Sequence, residues 1–301
     1  MLRVLDLKET LEFYRGAFGL TVKTEYLDED GLRVYELGFP TSSEPLLILR
    51  HDPNARIPRP DFAGLYHYAA LVPTRKSLAS TYQALRNSGV AFEGFADHTV
   101  SESLYLHDVE GNGIEIYADR PREAWSRFMT PPTSNRDADI RRFAALNKPL
   151  DFASLLGELG TEESARPRPF PDGARIGHVH LRVTNLARSV EFYHGALGLD
   201  IVANVPEIGA AFLSVGGYHQ HIGMNTWHSQ GGNQHTRGEQ GLDKFTMFVP
   251  NKQVLDQLRS RLLAVSHGMR EEGGGLLVAD PDGIEIEFRV GKQTSPRIPE
   301  I

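Results

Sequence analysis

Residues 180–199 read His180-Leu-Arg-Val-Thr-Asn-Leu-Ala-Arg-Ser-Val-Glu-Phe-Tyr-His-Gly-Ala-Leu-Gly-Leu199, and the chain opens on a near copy, Met1-Leu-Arg-Val-Leu-Asp-Leu-Lys-Glu-Thr-Leu-Glu-Phe-Tyr-Arg-Gly-Ala-Phe-Gly-Leu20. Leu-Arg-Val, Glu-Phe-Tyr, Gly-Ala and Gly-Leu recur in register. Working outward, Gly64-Leu-Tyr-His-Tyr-Ala-Ala-Leu-Val-Pro73 matches Gly241-Leu-Asp-Lys-Phe-Thr-Met-Phe-Val-Pro250, and Asp108-Val-Glu-Gly-Asn-Gly-Ile-Glu115 matches Asp280-Pro-Asp-Gly-Ile-Glu-Ile-Glu287. Three matched pairs in the same order mark a duplicated chain. Val179, Leu181 and Val183 alternate with His178, His180 and Arg182, the period of a half-buried strand. Leu186, Val190, Tyr193 and Leu197 then follow at helical spacing, with Gly198 where a left-handed cap belongs. Leu7, Leu11, Tyr14, Phe18 and Gly19 repeat the pattern. Weaker copies begin at Tyr66 and Phe245, each followed by a helix such as 76–88.

The sequence therefore predicts an α+β fold of four βαβββ modules, at about 1–55, 62–120, 176–230 and 241–290. They group as two tandem domains, 1–129 and 172–292, joined by a linker over 130–171 and followed by a tail over 293–301. The linker holds Pro-Pro-Thr-Ser-Asn and Arg-Pro-Arg-Pro around a helical stretch near 140–159, and the Gly-, Gln- and His-rich stretch 230–240 reads as a mobile loop. The repeat alignment places the counterpart of His178 two positions before Met1, so the first strand is expected to be short.

With 301 residues and 40% apolar side chains the chain can bury substantial cores. It has no cysteine, so a disulfide framework, a thiolate metal site and a cysteine nucleophile are all excluded, and any metal must be held by His, Asp or Glu. A net charge of −7 argues against nucleic acid as a partner. No apolar run approaches the ~18 residues that span a membrane. No signal-peptide pattern opens the sequence either, and a cytoplasmic protein is expected.

Four such modules resemble the vicinal oxygen chelate superfamily of glyoxalase I, bleomycin-resistance proteins and extradiol dioxygenases. Within it, Gly64-Leu-Tyr-His67, Ser101-Glu-Ser-Leu-Tyr105, Gly111-Asn-Gly-Ile-Glu-Ile-Tyr117 and Tyr218-His-Gln-His-Ile-Gly-Met-Asn-Thr-Trp227 look most like the catechol-2,3-dioxygenase-like proteins. The resemblance implies two tandem vicinal-oxygen-chelate domains and a metal at the mouth of a curved sheet made from two modules. Ligands are then expected on the first or last strand of a module.

Strand alternation tests independently which residues face into such a cup. Packing Val179, Leu181 and Val183 on the helices turns His178 inward. Packing Tyr68, Ala70 and Val72 turns His67 inward, and Ile114 and Ile116 leave Glu115 and Tyr117 inward. Ile222 and Met224 leave His219, His221, Gly223 and Asn225 inward. Candidate ligands thus concentrate in modules two and three. In modules one and four Lys244 stands at the His67 position and only Glu287 remains. Modules two and three are therefore expected to pair as the working cup, and modules one and four as an empty one.

Two histidines and a carboxylate with open positions suit a non-haem Fe(II), with Mn(II) accepted by the same donors. His67, Glu115 and His178 are the expected metal ligands. By position, His221 resembles the histidine near the oxygen site of extradiol enzymes, and His98 and Tyr105 resemble their His/Tyr pair. Their roles would be proton transfer, substrate deprotonation and stabilisation of the ring-opening intermediate. His219 faces the same way as His221 and could replace it. The resemblance implies the substrate class and a homo-oligomer, so the reading is an Fe(II)-dependent extradiol dioxygenase that cleaves a catechol-like aromatic diol with O2. Its rivals are a metal held by His178, His221 and Glu287, a glyoxalase-like isomerase using Zn or Ni, and a metal-free binder of the bleomycin-resistance kind.

Overall fold

The structure is a computed structural model that describes residues 1–59, 61–127, 140–141, 144–160 and 170–291. The Pro-rich stretches at 131–135 and 166–169 and the tail 293–301 lie outside the described residues.

Module one comprises β1 (Leu2–Val4), helix α1 (Leu7–Phe18), β2 (Thr21–Leu27), β3 (Arg33–Gly38) and β4 (Leu47–His51). Asp6 caps α1 by accepting from the Glu9 N–H, and Gly19 closes it at φ 67°, a left-handed turn that glycine adopts without strain. β1 has three residues, against the eight of its repeat partner β9.

Module two follows with β5 (Gly64–Leu71), α2 (Arg75–Asn87), β6 (Gly94–Asp97), β7 (Ser101–His107) and β8 (Gly113–Asp119). Module three has β9 (Arg175–Arg182), a helix over Leu186–Val190 that runs on as a π-helical turn over Glu191–Ala196, then β10 (Asp200–Val205), β11 (Ala210–Ser214) and β12 (Ile222–Asn225). Module four has β13 (Gly241–Leu242), β14 (Lys244–Val249), a helix over Lys252–Ala264, β15 (Met269–Glu272), β16 (Gly275–Ala279) and β17 (Glu285–Val290).

Modules two and three share one eight-stranded sheet, in the order β10-β11-β12-β9-β5-β8-β7-β6. Its seam is the antiparallel β5–β9 pair, with Leu65 opposite Leu181 and Ala69 opposite His178. Modules one and four meet through the equivalent pair β1–β13, with Leu2 opposite Leu242. That second array is split into five strands and four because Asp243 interrupts β13 and β14. The Asp243 carboxylate turns to Arg3 at 2.7 Å and Arg50 at 3.3 Å.

The sheets' apolar sets behave as their alternation predicts. Tyr68, Ala70, Val72, Ile114, Ile116, Val179, Leu181 and Val183 join the main core beneath the helices. Ala69, Leu71 and Tyr117 form a small cluster on the opposite, concave face. Within each half, one tyrosine of the first helix ties the two modules together. Tyr14 donates to Asp108 at 2.7 Å, and Tyr193 donates to Asp280 at 3.1 Å.

Two stretches without periodic patterning differ from expectation. The linker carries a short helix over Phe152–Leu156 and helical residues at 140–141 and 144–145, separated by the two-way Asp97–Lys148 backbone bridge. Residues 142–143 of that stretch lie outside the described residues. The 230–240 loop is pinned by backbone bonds to both halves: Arg56 N–H to Gly238 O, Ala63 N–H to Asn233 O and His235 N–H to Asp282 O. Composition signals the absence of a regular element there, but not the partners its backbone finds.

Candidate metal centre

Three adjacent strands of the eight-stranded sheet bring His67, Glu115 and His178 together. β5 runs between β8 and β9, and Ala69 lies opposite Glu115 on one side and His178 on the other. The Ala69 methyl, wholly buried, keeps the floor between them low. His67 stands one pleat along the same face. Glu115 Oε2 is 3.0 Å from His67 Nε2 and 3.1 Å from His178 Nε2. One ligand atom from each of the three residues lies within 4.8 Å of the others, and all three side chains are buried. Ser103, on β7, donates to the other carboxylate oxygen, Oε1, at 2.6 Å.

Electrostatics prepare this cluster for a cation. Burial pushes the Glu115 carboxyl up, but the imidazoles of His178 and His67 outweigh it and hold the acid well below its ordinary range. Burial lowers His67 even with Glu115 beside it, which leaves a neutral imidazole with a free electron pair. Despite its closeness to the carboxylate, His67 Nε2 lacks hydrogen-bond alignment and has no partner among the described residues, whereas His178 Nε2 is hydrogen-bonded to Glu115 Oε2. Buried polar atoms are rarely left unpaired. An unpaired imidazole nitrogen, a second imidazole and a carboxylate converging on one point form a donor set that fits a divalent metal.

The triad opens on a cavity of about 700 Å³. One wall carries Tyr105 and His98, with the phenol oxygen 2.6 Å from His98 Nε2. His98 Nδ1 meets the Asn147 side-chain oxygen. An amide oxygen only accepts, so Nδ1 carries the ring proton and Nε2 accepts from Tyr105. Asn147, with Ile140, Ala144 and Leu146, belongs to the linker, which thus closes one side of the cavity.

His219 lines the cavity, its Nε2 2.8 Å from Asp119. His221 is not among the lining residues. Its Nδ1 pairs with Ser214 Oγ at 2.7 Å and its ring lies against Tyr218 at 4.9 Å. Burial pushes its pKa down to about 4.

His180 shares the strand parity of His178, but strand alternation alone does not give it a role. It lines the cavity with its ring 4.9 Å from that of His67, and its Nε2 accepts from Asn225 Nδ2 at 3.0 Å. Gly223 makes room for it, since a Cβ there would stand 2.8 Å from His180 Nδ1.

Glu287, at the Glu115 position of the other half, meets no histidine. Arg289 binds it at 2.5 Å, Thr246 at 3.2 Å and Lys244 at 3.5 Å. Its partners are cationic side chains, and it sits on β17 of the four-stranded sheet, whereas His178 lies on β9 and His221 directly before β12 of the eight-stranded one.

The chain belongs to the glyoxalase/bleomycin resistance protein/dioxygenase superfamily, whose sequence profile matches residues 1–116 and 175–288. It is 37% identical to a catechol-2,3-dioxygenase of Bacillus subtilis (strain 168) over 294 residues, covering 95% of this chain and 94% of that one. It is 32% identical to biphenyl-2,3-diol 1,2-dioxygenase 2 of Rhodococcus globerulus over 108 residues, covering 35% of this chain and 50% of that one. Glyoxalase I of Zea mays shares the fold at a TM-score of 0.52 and 16% identity, covering 95% of this chain and 89% of that one. Among the described residues no helix is long and apolar enough to cross a membrane.

Proposed function

We propose that the protein is an Fe(II)-dependent extradiol dioxygenase that opens the ring of a catechol-like diol with O2, with His67, Glu115 and His178 as the metal ligands. The observation that carries this reading is a buried two-histidine, one-carboxylate set, with His67 Nε2 unpaired, opening on a cavity whose wall holds Tyr105 and His98. His67, Glu115 and His178 would hold Fe(II) with positions left open, so that the metal would supply a site for the two adjacent diol oxygens and for O2.

The chain's own groups supply positioning and proton traffic. Burial pushes the Tyr105 phenol well above its ordinary pKa, so the phenol keeps its proton. That proton is directed to His98 Nε2, which leaves the phenol oxygen free to accept from a diol hydroxyl. Ser103 fixes the Glu115 carboxylate, and the apolar residues of the wall exclude water. For a further proton donor His221 is the expected residue, and of His219 and His221 it is His219 that lines the cavity. Comparing turnover of H219Q with that of H221Q decides between them. We further read 1–129 and 172–292 as the two tandem domains and the active form as a homo-oligomer.

The test is oxygen uptake by anaerobically Fe(II)-loaded protein given a catechol, set beside conversion of a hemithioacetal. One O2 consumed per diol, with a yellow ring-opened product and one iron per chain, supports the proposal. Hemithioacetal conversion without oxygen uptake overturns it in favour of an isomerase. Protein that retains no stoichiometric metal overturns it in favour of a binder. Parallel loading with Mn(II) assigns the metal.

A further inference from the structure

The cavity is far larger than a single-ring diol needs. Its volume of about 700 Å³ lies within the range of ~300–1,000 Å³ typical for ligands of drug size. Part of its wall is built of aromatic rings. From His67 the rings run outward through His180 at 4.9 Å to Tyr66, 5.2 Å from His180, and to Trp227, 6.1 Å from His180. Tyr66 and Trp227 meet edge to face at 5.3 Å. Trp227 is half-exposed yet fixed, because its indole N–H donates to Ile208 O at 2.7 Å and its backbone N–H to Asn225 Oδ1 at 3.3 Å. A rigid aromatic corner two ring contacts from the metal ligands matches the reach of a two-ring molecule.

Charge narrows the class further. Among the described lining residues there is neither lysine nor arginine, while Glu93 lies at the rim, paired with His107 at 2.6 Å. Arg182, whose charge reaches Tyr66 and whose Nε has no hydrogen-bond partner among the described residues, is not part of the lining.

Resting on the reading of the site as a diol dioxygenase, we propose that Tyr66 and Trp227 are specificity-determining residues that hold the uncharged aryl substituent of a two-ring diol. Carboxylate-bearing diols are disfavoured for lack of a cation in the wall.

The experiment compares unsubstituted, aryl-substituted and carboxylate-substituted catechols in the Fe(II)-loaded protein. Binding is read without oxygen as quenching of Trp227 in the Trp125→Phe variant, since the chain has two tryptophans, and turnover is read as kcat/KM in the parent. The aryl diol is expected to bind about tenfold tighter than unsubstituted catechol, the scale of one well-placed aromatic contact. Trp227→Ala is expected to remove most of that ratio, and the carboxylated diol to bind weakest. Equal kcat/KM for all three diols overturns the inference while leaving ring cleavage intact. A preference for the carboxylated diol that disappears in Arg182→Met overturns it as well, and assigns the recognition to Arg182. Quenching by aryl diols without any oxygen uptake supports the binding corner and overturns the dioxygenase reading instead.

Discussion

Glu115 and Glu287 are the same residue in two copies of one motif, and their neighbours decide what each can do. Glu115 has two buried imidazoles beside it, whereas Glu287 has Lys244 and Arg289. Glu115→Gln is expected to abolish stoichiometric iron in anaerobically purified protein, and Glu287→Gln to retain it, as read by elemental analysis. Iron lost only from the second variant would reverse the assignment. Tyr105→Phe removes a proton that the structure directs to His98. It is expected to keep the metal while lowering kcat by about 10²-fold or more, the usual scale for a positioned acid or base. Parallel measurement of metal content and turnover separates that outcome from a loss of folding.

At the scale of elements, strand parity was the reliable signal. Alternation alone placed His67, Glu115 and His178 on the concave face, and it placed His180 there too, although nothing in a lone strand distinguishes a cavity residue from a structural one. His219 and His221 show where parity stops, since both precede β12 and only His219 lines the cavity, paired with Asp119, whereas His221 pairs with Ser214. The tyrosine–aspartate ties between modules are a second element-scale feature. Burial, followed by the nearby Asp282 charge, pushes Asp280 up to about 7, although three hydrogen bonds oppose the shift. A carboxyl raised above its unfolded value of 3.8 is protonated in the native state where the unfolded chain has already ionised. Its contribution is therefore fully present below about pH 4 and is lost as pH rises to about 7. The loss is about 4 kcal/mol at most, at about 1.36 kcal/mol per unit. Urea midpoints at pH 5 and pH 8 are expected to fall more in the parent than in Asp280→Asn. Equal slopes would show that Asp280 does not titrate in this window.

For the whole molecule, the β5–β9 seam matters most. Two of the three candidate ligands come from module two and one from module three, so the site exists only where the two halves join. Residues 1–160 and 170–291, produced separately, are each expected to bind no iron above background, and to bind one equivalent once combined. Tight iron binding by either piece alone would mean that the site does not depend on the seam.

The sequence by itself determined the duplication, the four βαβββ modules and the face on which each candidate ligand lies, because strand and helix periods are local and survive in a linear reading. It also pointed to the pairing of modules two and three, through the uneven distribution of His and Glu. Only the tertiary structure decided that the linker closes the cavity through Ile140, Leu146 and Asn147, that Lys244 and Arg289 neutralise Glu287, and that Tyr66 and Trp227 form an aromatic corner. Those contacts join residues far apart in the chain, and no local pattern of charge or hydropathy encodes which distant side chain will fill a given space.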